Sequence, residues 1–73
     1  MTDTDNVVFI ELWGGPRDGE VVRLPSDEAP MEMRIPMPVR LLPPGIQKGW
    51  FRYRYSHMRG HFMLYTFAGE HHL

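Results

Sequence analysis

Hydrophobic positions alternate with polar positions along much of the chain, and this alternation predicts short β-strands. Residues 7–13, VVFIELW, are rich in β-branched and aromatic side chains and place Val8, Ile10 and Leu12 on one face. Residues 20–24, EVVRL, form a second run of the same kind. Between them lies GGPRDG, in which proline presets φ and Asp-Gly supplies a left-handed position. The two runs and their turn predict a β-hairpin.

The glycine-rich turn does not match a phosphate-binding loop. Such a loop needs G-x-x-x-x-G-K-[ST] and a following helix, whereas Glu20 and Val21 follow the last glycine and begin a strand. A dinucleotide fingerprint is not met either, because no βαβ unit surrounds the glycines. We expect Asp18 to hydrogen-bond the backbone of its own turn. The residues of this structural turn are Gly14, Gly15, Pro16, Asp18 and Gly19.

The middle of the chain is rich in proline, and this excludes a long helix. Residues 25–46 contain all but one of the seven prolines. Within them Met31, Met33, Ile35 and Met37 alternate with charged residues and proline, which predicts an extended edge strand that tolerates proline. The segment is predicted to link the first hairpin to a second one.

The second hairpin is predicted from two aromatic strands that meet at a turn around Gly60. Residues 50–58, WFRYRYSHM, alternate between aromatic and basic side chains along the run. One face carries Phe51, Tyr53, Tyr55 and His57, and the other carries Trp50, Arg52 and Arg54. Residues 62–67, FMLYTF, are apolar on both faces and are therefore expected at the centre of the sheet.

These elements together predict an all-β fold. About five short strands, arranged as two hairpins joined by a proline-rich segment, favour a small antiparallel sheet or an SH3-like barrel. An open sheet that completes its core by dimerising is the alternative. We expect a single small β domain over residues 7–68, a disordered N-terminus over 1–6 and a frayed tail over 69–73.

Composition limits the classes of function. The 73 residues include no cysteine, which excludes disulfides and cysteine-bound zinc and fits a cytoplasmic setting. The chain begins with an acidic, polar stretch unlike a secretory leader, and no apolar run is long enough to span a membrane. The net charge is −1, but seven of the nine acidic residues precede residue 30, and six of the eight basic ones lie in 34–59. We expect a cytoplasmic protein with no membrane partner.

Residues that could carry catalysis are few and scattered. The only serines are Ser26 and Ser56, and Ser56 is expected to point away from its neighbour His57, because adjacent strand residues face opposite sides. His57 and His61 flank the second turn and are interpreted as exposed turn residues. The prediction is a protein that is not an enzyme and has no catalytic residue, cofactor or metal site.

One candidate binding surface is the methionine segment, because flexible methionine side chains suit adaptable contacts. Its proposed contact residues are Met31, Met33, Met37 and Leu41. The structural alternative is that these side chains close the protein's own core. An edge strand that pairs with a second copy, giving a homodimer, lies between the two interpretations.

The other candidate surface is the basic aromatic strand, because single-stranded nucleic-acid binders combine stacking aromatics with arginine and lysine. Its contact residues would be Trp50, Arg52 and Arg54, with Lys48 beside them. The structural alternative is a solvated row of arginines that pair across strands with Glu11 or Glu20.

The turn GGPRDG, the following VVRLP and the tyrosine-containing strands near the end of the chain resemble a group of small proteins. These are uncharacterised proteins of actinobacteria and especially of their bacteriophages, with a G-G-P-x-D-G turn near the N-terminus. The resemblance extends loosely over residues 9–67. It implies a phage or actinobacterial origin and a cytosolic setting, and it implies no activity.

The predicted function is that of a non-enzymatic, protein-binding module. In a bacteriophage such a module would bind a host protein or associate with itself as a homodimer. Two alternatives stay open: a nucleic-acid-binding module that uses the basic aromatic strand, and a minor structural protein of the virion.

Overall fold

The computed structural model describes residues 6–73, which form five β-strands and three single-turn 3-10 helices. The strands are β1 (Val7–Trp13), β2 (Val21–Pro25), β3 (Glu32–Pro36), β4 (Gly49–Arg59) and β5 (Phe62–His72). The helical turns are Gly15–Arg17, Ser26–Glu28 and Val39–Leu41. The all-β prediction is confirmed. The disorder expected over residues 1–6 falls, apart from residue 6, outside the described residues.

The strands form one curled sheet, a half-barrel, in the order β2-β1-β5-β4-β3. β1 and β2 form the first predicted hairpin, and β4 and β5 form the second. β3 pairs with β4 at the edge, where its proline is tolerated. The central strand is β5, as its apolar character on both faces predicted. β1 and β5 run parallel, so the sheet is mixed, and this pairing joins the two hairpins.

The parallel pairing requires a crossover, which carries the chain from β2 at one edge to β3 at the other over the concave side. Pro30 lies on this crossover, and its carbonyl accepts a hydrogen bond from the buried hydroxyl of Tyr65 on β5. Burial, with the neighbouring Tyr55, raises the pKa of the Tyr65 hydroxyl, so it stays protonated and can donate. Ala29, next to Pro30, packs against the core. Tyr65 therefore holds the crossover on the sheet.

The concave face carries the hydrophobic core. Its buried side chains are Ile10, Leu12, Met37, Phe51, Tyr53 and Tyr65. The inward residues of β1 and of the first half of β4 are the ones that alternation predicted, so those two assignments of faces are confirmed. Met37 comes from the proline-rich segment, which thus closes the open side of the half-barrel.

Two register shifts interrupt the pairing of β4 with β5 and change which side chains share a face. The shift between Tyr55 and His57 makes His57 pair with Leu64, so the prediction that His57 continues the aromatic face of β4 is wrong. The extra residue also brings Ser56 Oγ within 2.9 Å of His57 Nδ1, although strict alternation predicted opposite faces. This contact lies in an exposed part of β4.

The end of the chain is part of a strand, which corrects the prediction of a frayed tail over 69–73. β5 continues to His72, which pairs with Gly49, and the Leu73 N–H donates to the Lys48 carbonyl at 3.0 Å. β4 is eleven residues long and supplies partners along this whole length. A second register shift, beside Gly69 with φ of +100°, keeps the two strands paired as they bend.

The GGPRDG turn folds back onto the core, and its polar groups are engaged there. The Asp18 carboxylate accepts a hydrogen bond from the Gly14 N–H at 2.6 Å, as predicted for this turn. The hydroxyl of Tyr53 donates to the Gly14 carbonyl at 2.7 Å and accepts from the Arg17 N–H at 2.9 Å. Further backbone bonds close the turn onto β1. The N–H groups of Gly14, Arg17 and Gly19 are thus used by the fold itself.

We predict that Gly15→Ala destabilises the protein much more than Gly19→Ala. A Cβ at Gly15, whose φ is +65°, would lie 2.5 Å from the Phe67 ring, whereas Gly19 has φ of +86° and open space around it. Left-handed strain alone costs about 1–2 kcal/mol, and overpacking adds about 1–3 kcal/mol. Urea unfolding should therefore show a loss of about 2–5 kcal/mol for Gly15→Ala. Equal losses in the two variants would contradict this packing of the turn on Phe67.

Candidate binding face

We call the side of the sheet opposite the core the outer face. Strand register places Trp13, Thr66, Arg54 and Glu32 in one row across β1, β5, β4 and β3. The parallel pairing of β1 with β5 is what brings Trp13 beside Thr66. An indole from the start of the chain and a guanidinium from its second half therefore share one surface.

Three arginines of the outer face surround the carboxylate of Glu32. The Nε atoms of Arg34 and Arg54 each donate to a Glu32 oxygen at 3.3 Å, and Nη1 of Arg52 lies 4.0 Å from that carboxylate. Three guanidiniums around one carboxylate leave an excess of two positive charges. The side chains of Arg34 and Arg54 are 65% and 68% exposed, so much of this charge faces solvent.

The arginines also shift the titration of Glu32. Desolvation raises the pKa of this carboxyl, but the hydrogen bonds from Arg34 and Arg54 and the charge of Arg52 together lower it more. The resulting pKa lies below the ordinary value for glutamate. Glu32 is therefore ionised at neutral pH and remains a partner for both exposed guanidiniums.

The prediction that Glu11 or Glu20 would pair with the arginines of β4 is wrong. β3 lies next to β4, so Glu32 takes this role. Glu20 instead forms an ion pair with Arg17 at the base of the first turn, and the hydrogen bond from Arg17 lowers the pKa of Glu20. Glu11 lies on β1, separated from β4 by the central strand.

Arg52 contributes to the stability of the fold rather than to the exposed binding surface. Its Nη2 donates to the Ala68 carbonyl at 2.7 Å, beside Gly69 at the register shift of β5. Its Nε is buried and has no hydrogen-bond partner among the described residues. Of the three residues that the sequence assigned to the basic aromatic strand, Trp50 and Arg54 remain the better candidates for contact with a partner.

Aromatic side chains flank the arginines on the outer face. Trp50 stacks on His71 with ring centroids 5.7 Å apart, and Phe9 packs against Phe62 with centroids 5.8 Å apart. Trp13 and Phe9 are 43% and 40% exposed, so large apolar surfaces are left in contact with solvent. Both tryptophans of the chain lie on this face.

The methionine segment does not form one surface. Met37 is only 8% exposed and belongs to the core, and Met33 packs against that core. This burial favours the alternative in which Met33 and Met37 close the protein's own core on the concave side. Met31 and Leu41 are exposed, but they lie at the two ends of the segment.

The edge formed by β3 is poorly suited to pairing with another strand. The Met37 N–H donates to the Gly49 carbonyl at 2.9 Å, so odd-numbered residues of this segment point their backbone groups toward β4. Glu32 and Arg34 then present the outward N–H groups. Pro36, the next outward residue, has no N–H to offer.

The edge formed by β2 has the same construction. The Leu12 N–H donates to the Glu20 carbonyl at 2.9 Å, so even-numbered residues of this strand face β1. Val21 and Arg23 present the outward N–H groups, and Pro25 again ends the series. Two free N–H groups beside an arginine and a proline resist strand addition. The outer face is thus better suited to a partner than either of these edges.

Sequence reasoning missed Trp13 and Arg34 as members of this face. Alternation did place Trp13 opposite Ile10 and Leu12, which was a usable signal for β1. Nothing in the sequence showed that β1 would lie next to β5. The alternation of Arg34 with methionines predicts only a polar position on an extended strand.

Comparison of the chain with known proteins does not guide the assignment of this site. No protein-family model, curated protein or solved structure matches the chain. Within residues 6–73, no three His, Cys, Asp or Glu side chains are close enough together to hold a metal ion. The same residues include no helix that is long and apolar enough to cross a membrane. The assignment of function therefore depends on the geometry of the outer face.

We predict that Arg52→Ala destabilises the protein and Arg54→Ala does not. Removing Arg52 leaves the half-buried Ala68 carbonyl without its donor, which costs about 1 kcal/mol or somewhat more. Arg54 is mostly exposed, and its pair with Glu32 contributes less than about 1 kcal/mol. Chemical denaturation of both variants measures the difference. Similar stabilities for the two would refute the structural role of Arg52.

We also predict that Glu32 titrates below the ordinary glutamate range because of its arginines. Since the folded-state pKa is lowered, the stabilisation from Glu32 is present above the ordinary glutamate pKa of 4.5 and is lost as pH falls through the lowered pKa. Arg54→Ala should raise the Glu32 pKa toward its ordinary value in an NMR titration. Arg40→Ala, in the turn Val39–Leu41, should leave it unchanged. An unaltered pKa in Arg54→Ala would contradict the cluster.

Proposed function

We propose that the protein is a non-enzymatic module that binds another protein through its outer face. The observation that carries the proposal is that Trp13, Arg54, Arg34 and Trp50 lie on one face of the sheet, with Phe9 at its margin. Tryptophan and arginine are enriched among the residues that dominate protein–protein binding energy. Burying the exposed parts of Trp13 and Phe9 in a complex would add apolar stabilisation.

The partner we propose is a protein of the cytoplasm in which the chain acts. If the resemblance to phage proteins reflects common ancestry, that partner is a host protein met during infection. The other possibility is a second copy of the chain. The outward Pro25 and Pro36 disfavour a dimer made by edge pairing, and opposed outer faces would bring like-charged arginines together. Both effects favour a different protein over a homodimer.

A nucleic-acid-binding module is the second candidate, favoured by the exposed guanidiniums of Arg34 and Arg54 on the same face as Trp50. Two observations weigh against it. Glu32 sits among these arginines, and the whole chain carries a net charge of −1. A minor structural protein of the virion is a third possibility, and it would use the same face for contacts within the particle.

A pull-down experiment tests the proposal with matched variants. The affinity-tagged chain is incubated with actinobacterial lysate, with and without nuclease, at low and high salt. We expect a host protein to be retained with and without nuclease, and less strongly at high salt, because Arg34 and Arg54 are exposed. The amount of host protein retained should fall at least tenfold for the double variant Trp13→Ala/Arg54→Ala, because this variant removes one aromatic and one charged contact of the outer face.

The control is the double variant Val39→Ala/Arg40→Ala, which also removes one exposed apolar side chain and one exposed arginine. It should retain the host protein as the unaltered chain does. Loss of binding in the control alone would place the contact on the proline-rich segment instead. Retention that disappears with nuclease would support the nucleic-acid candidate.

A further inference from the structure

We propose that the segment recognised by the outer face is acidic and extended, and that Arg34 and Arg54 bind two of its carboxylates. This inference rests on the proposed protein-binding function and adds the chemistry of the partner. Its basis is the arrangement of hydrogen-bond donors around Glu32, the spacing of the two exposed arginines, and the position of Trp13 in the same row.

Glu32 orients the two guanidiniums but leaves their Nη donors free for a partner. It accepts only from the Nε atoms of Arg34 and Arg54, each at 3.3 Å. Among residues 6–73, no side chain or carbonyl accepts from the Nη atoms of these two arginines. Carboxylates are the natural partners of such free donors, because a guanidinium fork matches their two oxygens. The fixed orientation lowers the entropy lost when a partner binds.

The spacing of the two arginines matches an extended peptide. Glu32 pairs with Arg54, and Arg34 pairs with Arg52, so Arg34 and Arg54 are diagonal neighbours on adjacent strands. Diagonal neighbours lie about 7–8 Å apart. Residues i and i+2 of an extended chain lie about 6.6 Å apart and point to the same side. Two acidic residues with one residue between them can therefore reach both guanidiniums.

An apolar side chain of the partner would lie against Trp13. Thr66 is the small member of the row and lies between Trp13 and Arg54. Strands are spaced by about 4.8 Å, so the backbones of Trp13 and Arg54 lie about 10 Å apart across the sheet. A partner that bridges Thr66 contacts an apolar ring on one side and a cation on the other. The face thus selects an acidic segment that also carries an apolar residue.

Phosphate groups of nucleic acid fit this site less well than carboxylates. The excess of two charges is small beside the several phosphates that nucleic-acid binders neutralise. The ionised Glu32 lies within the cluster and would repel a phosphodiester backbone that runs past it. A protein segment can place its carboxylates on the guanidiniums and keep its neutral backbone over Glu32.

The test uses a capped five-residue peptide with glutamate at its first and third positions, leucine at its fifth and serine between them. Binding is followed through the two tryptophan indole N–H signals in NMR spectra, since both tryptophans lie on the outer face. We expect saturable shifts of both signals. A peptide with glutamine in place of glutamate should bind at least tenfold more weakly, because it lacks the charge.

Variants assign the effect to the arginines. Arg34→Ala and Arg54→Ala should each weaken peptide binding at least fivefold, and Arg40→Ala should leave it unchanged. Absence of saturable shifts, equal binding of the glutamine peptide, or equal loss in Arg40→Ala would overturn the proposal. Tighter binding of a five-nucleotide oligothymidylate than of the glutamate peptide would overturn it as well.

The same variants separate this inference from the proposed function. One outcome would support the proposed function alone. In it, the unaltered chain and Arg34→Ala both retain the host protein, Trp13→Ala/Arg54→Ala loses it, and the acidic peptide does not bind. The outer face would then still be a protein-binding surface. In that case only the acidic nature of the partner would be wrong.

Discussion

The need to satisfy two buried tyrosine hydroxyls shapes this small fold. Tyr53 and Tyr65 have no exposed surface, and a buried hydroxyl without a partner would be costly. Tyr53 bonds the GGPRDG turn through Gly14 and Arg17, and Tyr65 bonds the crossover at Pro30. Both partners lie outside the strands. The tyrosines thus tie the two irregular segments to the sheet and fix how the turn and the crossover close the concave side.

This closure decides which residues are left for binding. The chain's own residues fill the concave side. Two methionines of the methionine segment, Met33 and Met37, pack there and contribute to the core. The opposite side keeps Trp13, Phe9 and the arginines around Glu32 in contact with solvent. The side of the sheet opposite the core, which carries these exposed side chains, is the one we propose for a partner.

Local patterns in the sequence were sufficient for the strands and their inward faces, because alternation and turn chemistry act between near neighbours. They identified Ile10 and Leu12, the aromatic face of β4 up to Tyr55, and the central position of β5. They were insufficient at the two register shifts. At one shift an extra residue moves the His57 side chain to the opposite face of the sheet, and at the other Arg52 hydrogen-bonds the Ala68 carbonyl. Such shifts depend on how two long strands bend together, which alternation does not encode.

The binding face was predictable only in part for a related reason. Trp50 and Arg54 lie on one strand, so their common face followed from alternation alone. Trp13 joins them through the parallel pairing of β1 with β5, a contact between distant parts of the chain. The neighbours of β1 could not be derived from local residues, because two hairpins can be joined in several orders. The pairing of Glu32 with the arginines could not be predicted either, because it depends on the same order of strands in the sheet.

The central claim is that this pairing assembles the outer face from both hairpins, and an NMR measurement on the free protein tests it most directly. Nuclear Overhauser contacts between the Trp13 indole and the Thr66 methyl group, together with backbone contacts between Leu12 and Tyr65, are the result that the parallel register predicts. Contacts of β1 with β3, or an antiparallel pattern between β1 and β5, would contradict it. In that case Trp13 would not share a surface with Arg54.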